Sequence, residues 1–134
     1  MRYLLDTDIC IYITKEKPMA LRARFLRMQP GEAGMSVVTY CELVFGANKS
    51  QRKAENLARI RELEHLIPVV PLNRDAADHY GRMRIDLEKR GTPIGAYDLL
   101  IAAQAMAMEL ILVSNNEREF SRVPGLRVEN WAVK

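Results

Sequence analysis

The chain has 134 residues, 49% hydrophobic and 28% charged, a balance that excludes intrinsic disorder and fits one domain over residues 1–134. No apolar run reaches the roughly 20 residues that span a bilayer, and MRYLLDTD meets an acid too early for a signal peptide, so no membrane association and a cytoplasmic location are expected. The net charge of +3 permits a polyanionic partner, and 14 of the 20 basic residues are Arg, whose planar fork grips phosphates at two points.

Residues 2–5, RYLL, read as a strand that breaks at Asp6-Thr7-Asp8 and resumes as a helix through Ile9, Ile11, Tyr12 and Ile13. The carboxyl end of a strand in an open α/β sheet is where ligands bind, which marks Asp6, while Asp8 reads as the helix cap. Cys10 and Cys41 lack CxxC spacing and read as buried small hydrophobes. Pro18 opens a second helix, closed off by Gly31 and Gly34. Met35 to Val38 follows as a strand, with Thr39 placed to cap a helix that begins at Tyr40. Glu42 then falls in a first helical turn, either as the acidic partner of Thr39 in a capping box or as a functional acid.

Residues 51–66 form a plain amphipathic helix with Leu57, Ile60, Leu63 and Leu66 inward. Ile67 to Leu72 is a strand kept short by Pro68 and Pro71, and Asn73 precedes a further helix. His65 and His79 have no ligand partner at i+4 and no nearby cysteine, so both read as structural.

From Ala96 to Met108 the chain is apolar nearly all round, as a buried helix is, with Asp98 and Gln104 its only strongly polar residues. A carboxylate there either partners the positive end of the helix dipole or meets a cation. Leu110 to Val113 is a fourth strand, Ser114-Asn115-Asn116 its exit turn, and Leu126 to Val128 a last apolar segment. Strand and helix alternate throughout, which predicts an α/β sandwich with a mostly parallel central sheet flanked by helices.

In that scheme Asp6, Glu42, Asp98 and the Asn116 to Glu119 turn all lie at the carboxyl edge of the sheet. Acids gathered there repel one another unless a cation sits among them, and oxygen-only ligands select a hard ion, Mg²⁺ or Mn²⁺. At these residues the sequence closely resembles the PIN-domain ribonucleases, specifically the VapC-type toxins of toxin–antitoxin pairs. The matching stretches are LLDTDICIYI at 4–13, SVVTYCELVFGA at 36–47, GTPIGAYDLLIAAQA at 91–105 and VSNNEREFSRVPGLRVENW at 113–131.

The resemblance implies a PIN-like α/β/α sandwich in which Asp6, Glu42 and Asp98 match the metal-binding acids. Thr7 matches the small hydroxyl residue beside the first acid. Asn116 stands where many members have an aspartate, and Glu119 is expected to supply the missing carboxylate. The implied activity is Mg²⁺-dependent hydrolysis of RNA, tRNA or rRNA, with Arg82, Arg84, Arg118 and Arg122 as candidate phosphate contacts. A homodimer and a VapB-type antitoxin are implied as well, and Ile11, Tyr12, Leu21 and Phe25 serve either as its docking surface or as core. Two rival readings are a catalytically idle PIN-like binding module and a haloacid-dehalogenase-type phosphatase using Asp6 and Asp8. The module should have lost its acids. The phosphatase should carry a late lysine and a second acidic pair, yet no lysine lies between Lys89 and Lys134.

Overall fold

A computed structural model describes residues 1–132; residues 133 and 134 of the expected domain lie outside the described residues. The elements follow as β1 (Tyr3–Leu5), α1 (Thr7–Thr14), α2 (Met19–Leu26), β2 (Ala33–Ser36), α3 (Val37–Lys49) and α4 (Lys53–Leu66). The second half runs β3 (Val69–Val70), α5 (Arg74–Lys89), α6 (Ala96–Ala107), β4 (Ile111–Val113), α7 (Glu117–Phe120) and β5 (Val128–Glu129). The five strands form one sheet in the order β3-β2-β1-β4-β5, and every pairing is parallel.

Alternation along the strands divides the interior in two, because successive side chains point to opposite faces. Tyr3, Leu5, Ile111 and Val113 face a core completed by Ile9, Leu21, Leu43 and Leu63. Leu4 and Leu112 face the other core, with Leu87, Leu99, Ile101 and Phe120. Burying each such side chain contributes about 1.5–3 kcal/mol, so both faces of the sheet help to hold β1 at its centre. Helix α6 fills the second core, with Leu99 and Ile101 to Ala105 all buried. Its Gln104 donates through Nε2 to the Val70 and Pro71 carbonyls, both at 3.1 Å, which ties α6 to the end of edge strand β3. No helix among the described residues is long and apolar enough to cross a membrane.

Several sequence expectations shift. Strand β2 ends at Ser36, not Val38, because the Ser36 hydroxyl accepts the Val38 N–H at 3.1 Å and starts α3 three residues early. Thr39 is therefore a buried helical residue rather than a cap, and Glu42 lies in the second turn of α3. Gly34 is inside β2 rather than closing a helix, since α2 ends at Leu26. Asp6, not Asp8, is the N-cap of α1. Cys41 is exposed on the outer side of α3, whereas Cys10 is buried as expected. Leu21 is core, and Ile11, Tyr12 and Phe25 pack partly buried against it. Asn73 caps α5 as expected, its Oδ1 accepting the Ala76 N–H at 3.0 Å.

Candidate active site

The sheet reverses its direction of growth between β1 and β4, since β2 and β3 lie on one side of β1 and β4 and β5 on the other. Ligands of open α/β sheets bind at such a point, beyond the carboxyl ends of the strands. Leu5 pairs with Val113, so the next residues, Asp6 and Ser114, emerge side by side. The Asp6 N–H reaches the Val113 carbonyl at 2.8 Å. Its carboxylate is 5% exposed and accepts from the Thr7 N–H at 2.9 Å and the Ser114 hydroxyl at 2.8 Å. Burial and the charge of Asp8 nevertheless push Asp6 up to about 6, against the pull of the Ser114 and Thr7 hydrogen bonds, and Glu42 adds to the rise.

Glu42 comes from α3 and is held by the Thr7 hydroxyl, which donates to its Oε1 at 2.8 Å; the Thr39 hydroxyl lies 3.2 Å from that of Thr7. Asp98 comes from the first turn of α6, where the dipole and free N–H groups favour an anion. Its approach is fixed upstream: Gly91, at φ +70, closes α5 in a left-handed conformation that glycine adopts without strain. The following loop leads to Gly95, the N-cap of α6. Despite the dipole, Asp98 is pushed up to about 7, first by burial and then by the charges of Asp6, Glu119 and Glu42.

Glu119 comes from α7. Burial acts to raise it, but hydrogen bonds from the Gly95 N–H at 2.9 Å and the Asn116 amide at 2.7 Å, with the charge of Arg122, leave it below its ordinary value. Asp98 and Glu119 flank Gly95, and the charge of Glu119 is among the causes that push Asp98 up. Asn116 thus serves Glu119 through its amide.

All four sequence-selected acids therefore act on one another at one sheet edge, with Thr7 and Asn116 among their hydrogen-bond partners. Among the described residues no three acid, histidine or cysteine groups form a closed ligand cluster. The donor set nonetheless suits a hard cation: it is all oxygen, and Asp6 and Asp98 are raised first by burial and then by neighbouring acids, Asp8 and Glu42 for Asp6 and Asp6, Glu119 and Glu42 for Asp98, which a positive ion would offset. Sequence reasoning missed Ser114, Gly95 and the role of Asp8; only the polar Ser-Asn-Asn turn at a strand exit hinted at the first. Asp8 accepts the Asn115 N–H at 3.1 Å. Of the four Arg candidates, Arg122 donates to the Pro93 carbonyl at 2.9 Å and Arg84 to Glu88 and Tyr80. Beside Glu42 an apolar groove of about 710 Å³ opens between α3 and α6, with Phe45 and Tyr97 on its walls.

The PIN domain family model matches residues 3–126. The chain is 43% identical over 132 residues to the tRNA(fMet)-specific endonuclease VapC of Shigella flexneri, covering 98% of this chain and 99% of that protein. In structure it is similar to a chain of the DNA-bound VapBC from Salmonella typhimurium, with a TM-score of 0.92, 39% identity and 98% of both chains covered. It is similar also to VapBC-1 from nontypeable Haemophilus influenzae, with a TM-score of 0.91, 35% identity, and 99% of this chain and 100% of that one covered.

Proposed function

We propose the function from one premise: this chain belongs to the VapC-type branch of the PIN-domain family. It is a ribonuclease of that type, the toxin of a toxin–antitoxin pair. The RNA it cuts is tRNA, a reading supported by the Shigella relative named for tRNA(fMet). Its partner is a VapB-type antitoxin, supported by the VapBC complexes whose toxin chains it matches. A homodimer and a cytoplasmic location complete the reading.

The observation that carries the catalytic assignment is the gathering of Asp6, Glu42, Asp98 and Glu119 at the sheet's carboxyl edge, where burial and neighbouring acids raise Asp6 and Asp98. Asp6, Glu42 and Asp98 would hold Mg²⁺, or Mn²⁺ in its place, with Glu119 completing the set. When bound, such an ion acidifies water and offsets the negative charge that grows on a phosphodiester during hydrolysis. The protein's own work is orientation. Ser114 fixes Asp6, Thr7 fixes Glu42, and Gly95 with Asn116 fixes Glu119. The charge of Glu119 helps to raise Asp98, a repulsion that a bound cation would offset. The rival phosphatase needs Asp8 as an acid toward substrate, but Asp8 is engaged with the Asn115 backbone.

Sequencing the RNA ends produced when the purified protein meets total cellular RNA tests the reading. Defined new ends in one tRNA support it. Intact RNA in the presence of Mg²⁺ or Mn²⁺ would leave an idle binding module.

A further inference from the structure

The turn after β4 has an unusual set of attachments: each of its three residues is tied to a different acid. Ser114 donates its hydroxyl to Asp6 Oδ2 at 2.8 Å and accepts the Asn116 N–H at 2.9 Å. Asn116 donates its amide to Glu119 Oε2 at 2.7 Å. Between them, the Asn115 N–H goes to Asp8 Oδ2 at 3.1 Å. The turn thus spans the gap between Asp6 and Glu119, and Asp8 holds its middle.

We propose that Asp8 is a positioning residue of the acid site, clamping the backbone of the Ser114–Asn116 turn so that Asp6 and Glu119 keep their separation. Two facts separate this from helix capping. The N-cap of α1 is Asp6, and of the backbone N–H groups that favour the Asp8 charge, that of Asn115 counts for more than those of Ile9 and of Asp8 itself. Moreover, Asp8 Oδ1 is buried with no hydrogen-bond partner among the described residues. An orphaned carboxylate oxygen costs free energy that a solvent-facing first-turn acid would not incur. The side chain is held inward by its one bond to the turn.

Other attachments of the turn act elsewhere. The Asn115 side chain donates to the Tyr12 hydroxyl at 3.3 Å and accepts from Asn130 at 3.0 Å, both on the exposed side. The Ser114 N–H bonds the Glu129 carbonyl at 3.0 Å and so continues the sheet. Among the described residues, Asp8 is the one side chain of α1 that binds the backbone of the turn, since Tyr12 of the same helix meets only the Asn115 side chain. Groups that orient metal ligands without touching the metal typically contribute 10–100-fold to affinity.

The inference rests on the metal-dependent reading above, and its test includes a measurement that needs neither metal nor RNA. Asp8→Ala and Asp8→Asn are made in the full chain; the asparagine keeps an acceptor of the same shape for the Asn115 N–H. In EDTA, amide hydrogen exchange at Asn115 and Asn116 should speed up about tenfold in Asp8→Ala, as loss of one hydrogen bond implies, and stay near wild type in Asp8→Asn. The Mg²⁺ concentration that half-saturates the rise in melting temperature should increase about tenfold in Asp8→Ala, with kcat falling and KM for RNA unchanged. Asp8→Asn should restore most of both.

Unchanged exchange and unchanged Mg²⁺ response in Asp8→Ala would overturn the proposal. So would equal damage from Asp8→Asn, which would show that charge and not the clamp is what counts. If Asp8→Ala fails to fold, Asn115→Ala decides: it keeps the backbone N–H and should respond to Mg²⁺ like wild type, and a weakened response would place the clamp in the Asn115 side chain instead. Should wild type neither bind Mg²⁺ nor cut RNA, the functional reading fails, while the exchange result still shows whether Asp8 clamps the turn.

Discussion

Asp98 and Glu119, 21 positions apart in the chain and on different helices, meet at Gly95: its N–H goes to Glu119 Oε1 at 2.9 Å, and the charge of Glu119 helps to push Asp98 up. Asp98 is the one pushed up, to about 7, while Glu119 is held down by Gly95 and Asn116. As pH falls, Asp98 therefore takes up a proton before Glu119 does.

Asp98→Asn follows from that pairing. A raised folded-state pKa gives stability that is full below the unfolded value and lost as pH rises through the folded value. With Asp6 at about 6 and Asp98 at about 7, wild type in EDTA should lose melting temperature as pH climbs from about 4 to about 8. Asp98→Asn should lose less, and at pH 8 should melt at or above the wild-type temperature. With saturating Mg²⁺ it should regain little of what wild type regains, because a ligand stabilises only a site that survives. RNA cleavage should fall by about two orders of magnitude or more, as when a group stabilising developing charge is removed. Clear destabilisation in EDTA with cleavage retained would make Asp98 a structural acid.

Metal removal is the simplest check. Cleavage of RNA should stop in EDTA and return when Mg²⁺ or Mn²⁺ is restored, read as fragments on a gel. Full activity in EDTA would rule out the all-oxygen site as a metal centre.

Glu119→Gln should cost more activity than Asn116→Ala. The first removes a charge facing Asp98, whereas the second removes one hydrogen bond at 2.7 Å and leaves Glu119 its bond to Gly95 at 2.9 Å. We expect a loss of about tenfold for Asn116→Ala, in keeping with one hydrogen bond, and a larger one for Glu119→Gln. Equal, small losses would mean that Asp6, Glu42 and Asp98 suffice.

Thr7→Val removes the hydroxyl that holds Glu42 at 2.8 Å while keeping the side chain's shape. The expected fall in kcat/KM is about tenfold. Thr7→Ser keeps the donor and should stay near wild type, a contrast that steady-state kinetics on one RNA substrate resolves.

What the sequence disclosed depended on how far each interaction reaches along the chain. Asp6 and Asp98 stood out because a carboxylate inside an apolar run is costly whatever surrounds it. The order of strands and helices was legible from periodicity, but the start of α3 was not, because Ser36 and Thr39 are both competent caps and Val37-Val38 looks like strand. Which cap wins depends on where β2 leaves the sheet. Cys41 looked buried because its neighbours are apolar, yet the helix turns it outward. The polar exit turn marked the place of Ser114 but not its role, since its partner Asp6 lies 108 residues earlier.

Strand β1 is three residues long, and its side chains alternate between two cores that share no buried residue among those described. Thr7 and Glu42 act on Asp6 from the α1 and α3 side, while Asp98 on α6 feels both Asp6 and Glu119 of α7. The acids line a seam between two separately filled compartments, and the width of that seam belongs to neither. A cavity opened in one compartment lets one wall settle while the other stays. Packing changes far from any acid then alter the gap between acids that are themselves intact. Core substitutions on either side of the sheet should be limited by activity before they are limited by folding, because a shift of about 1 Å can cost 100-fold in rate while the fold survives.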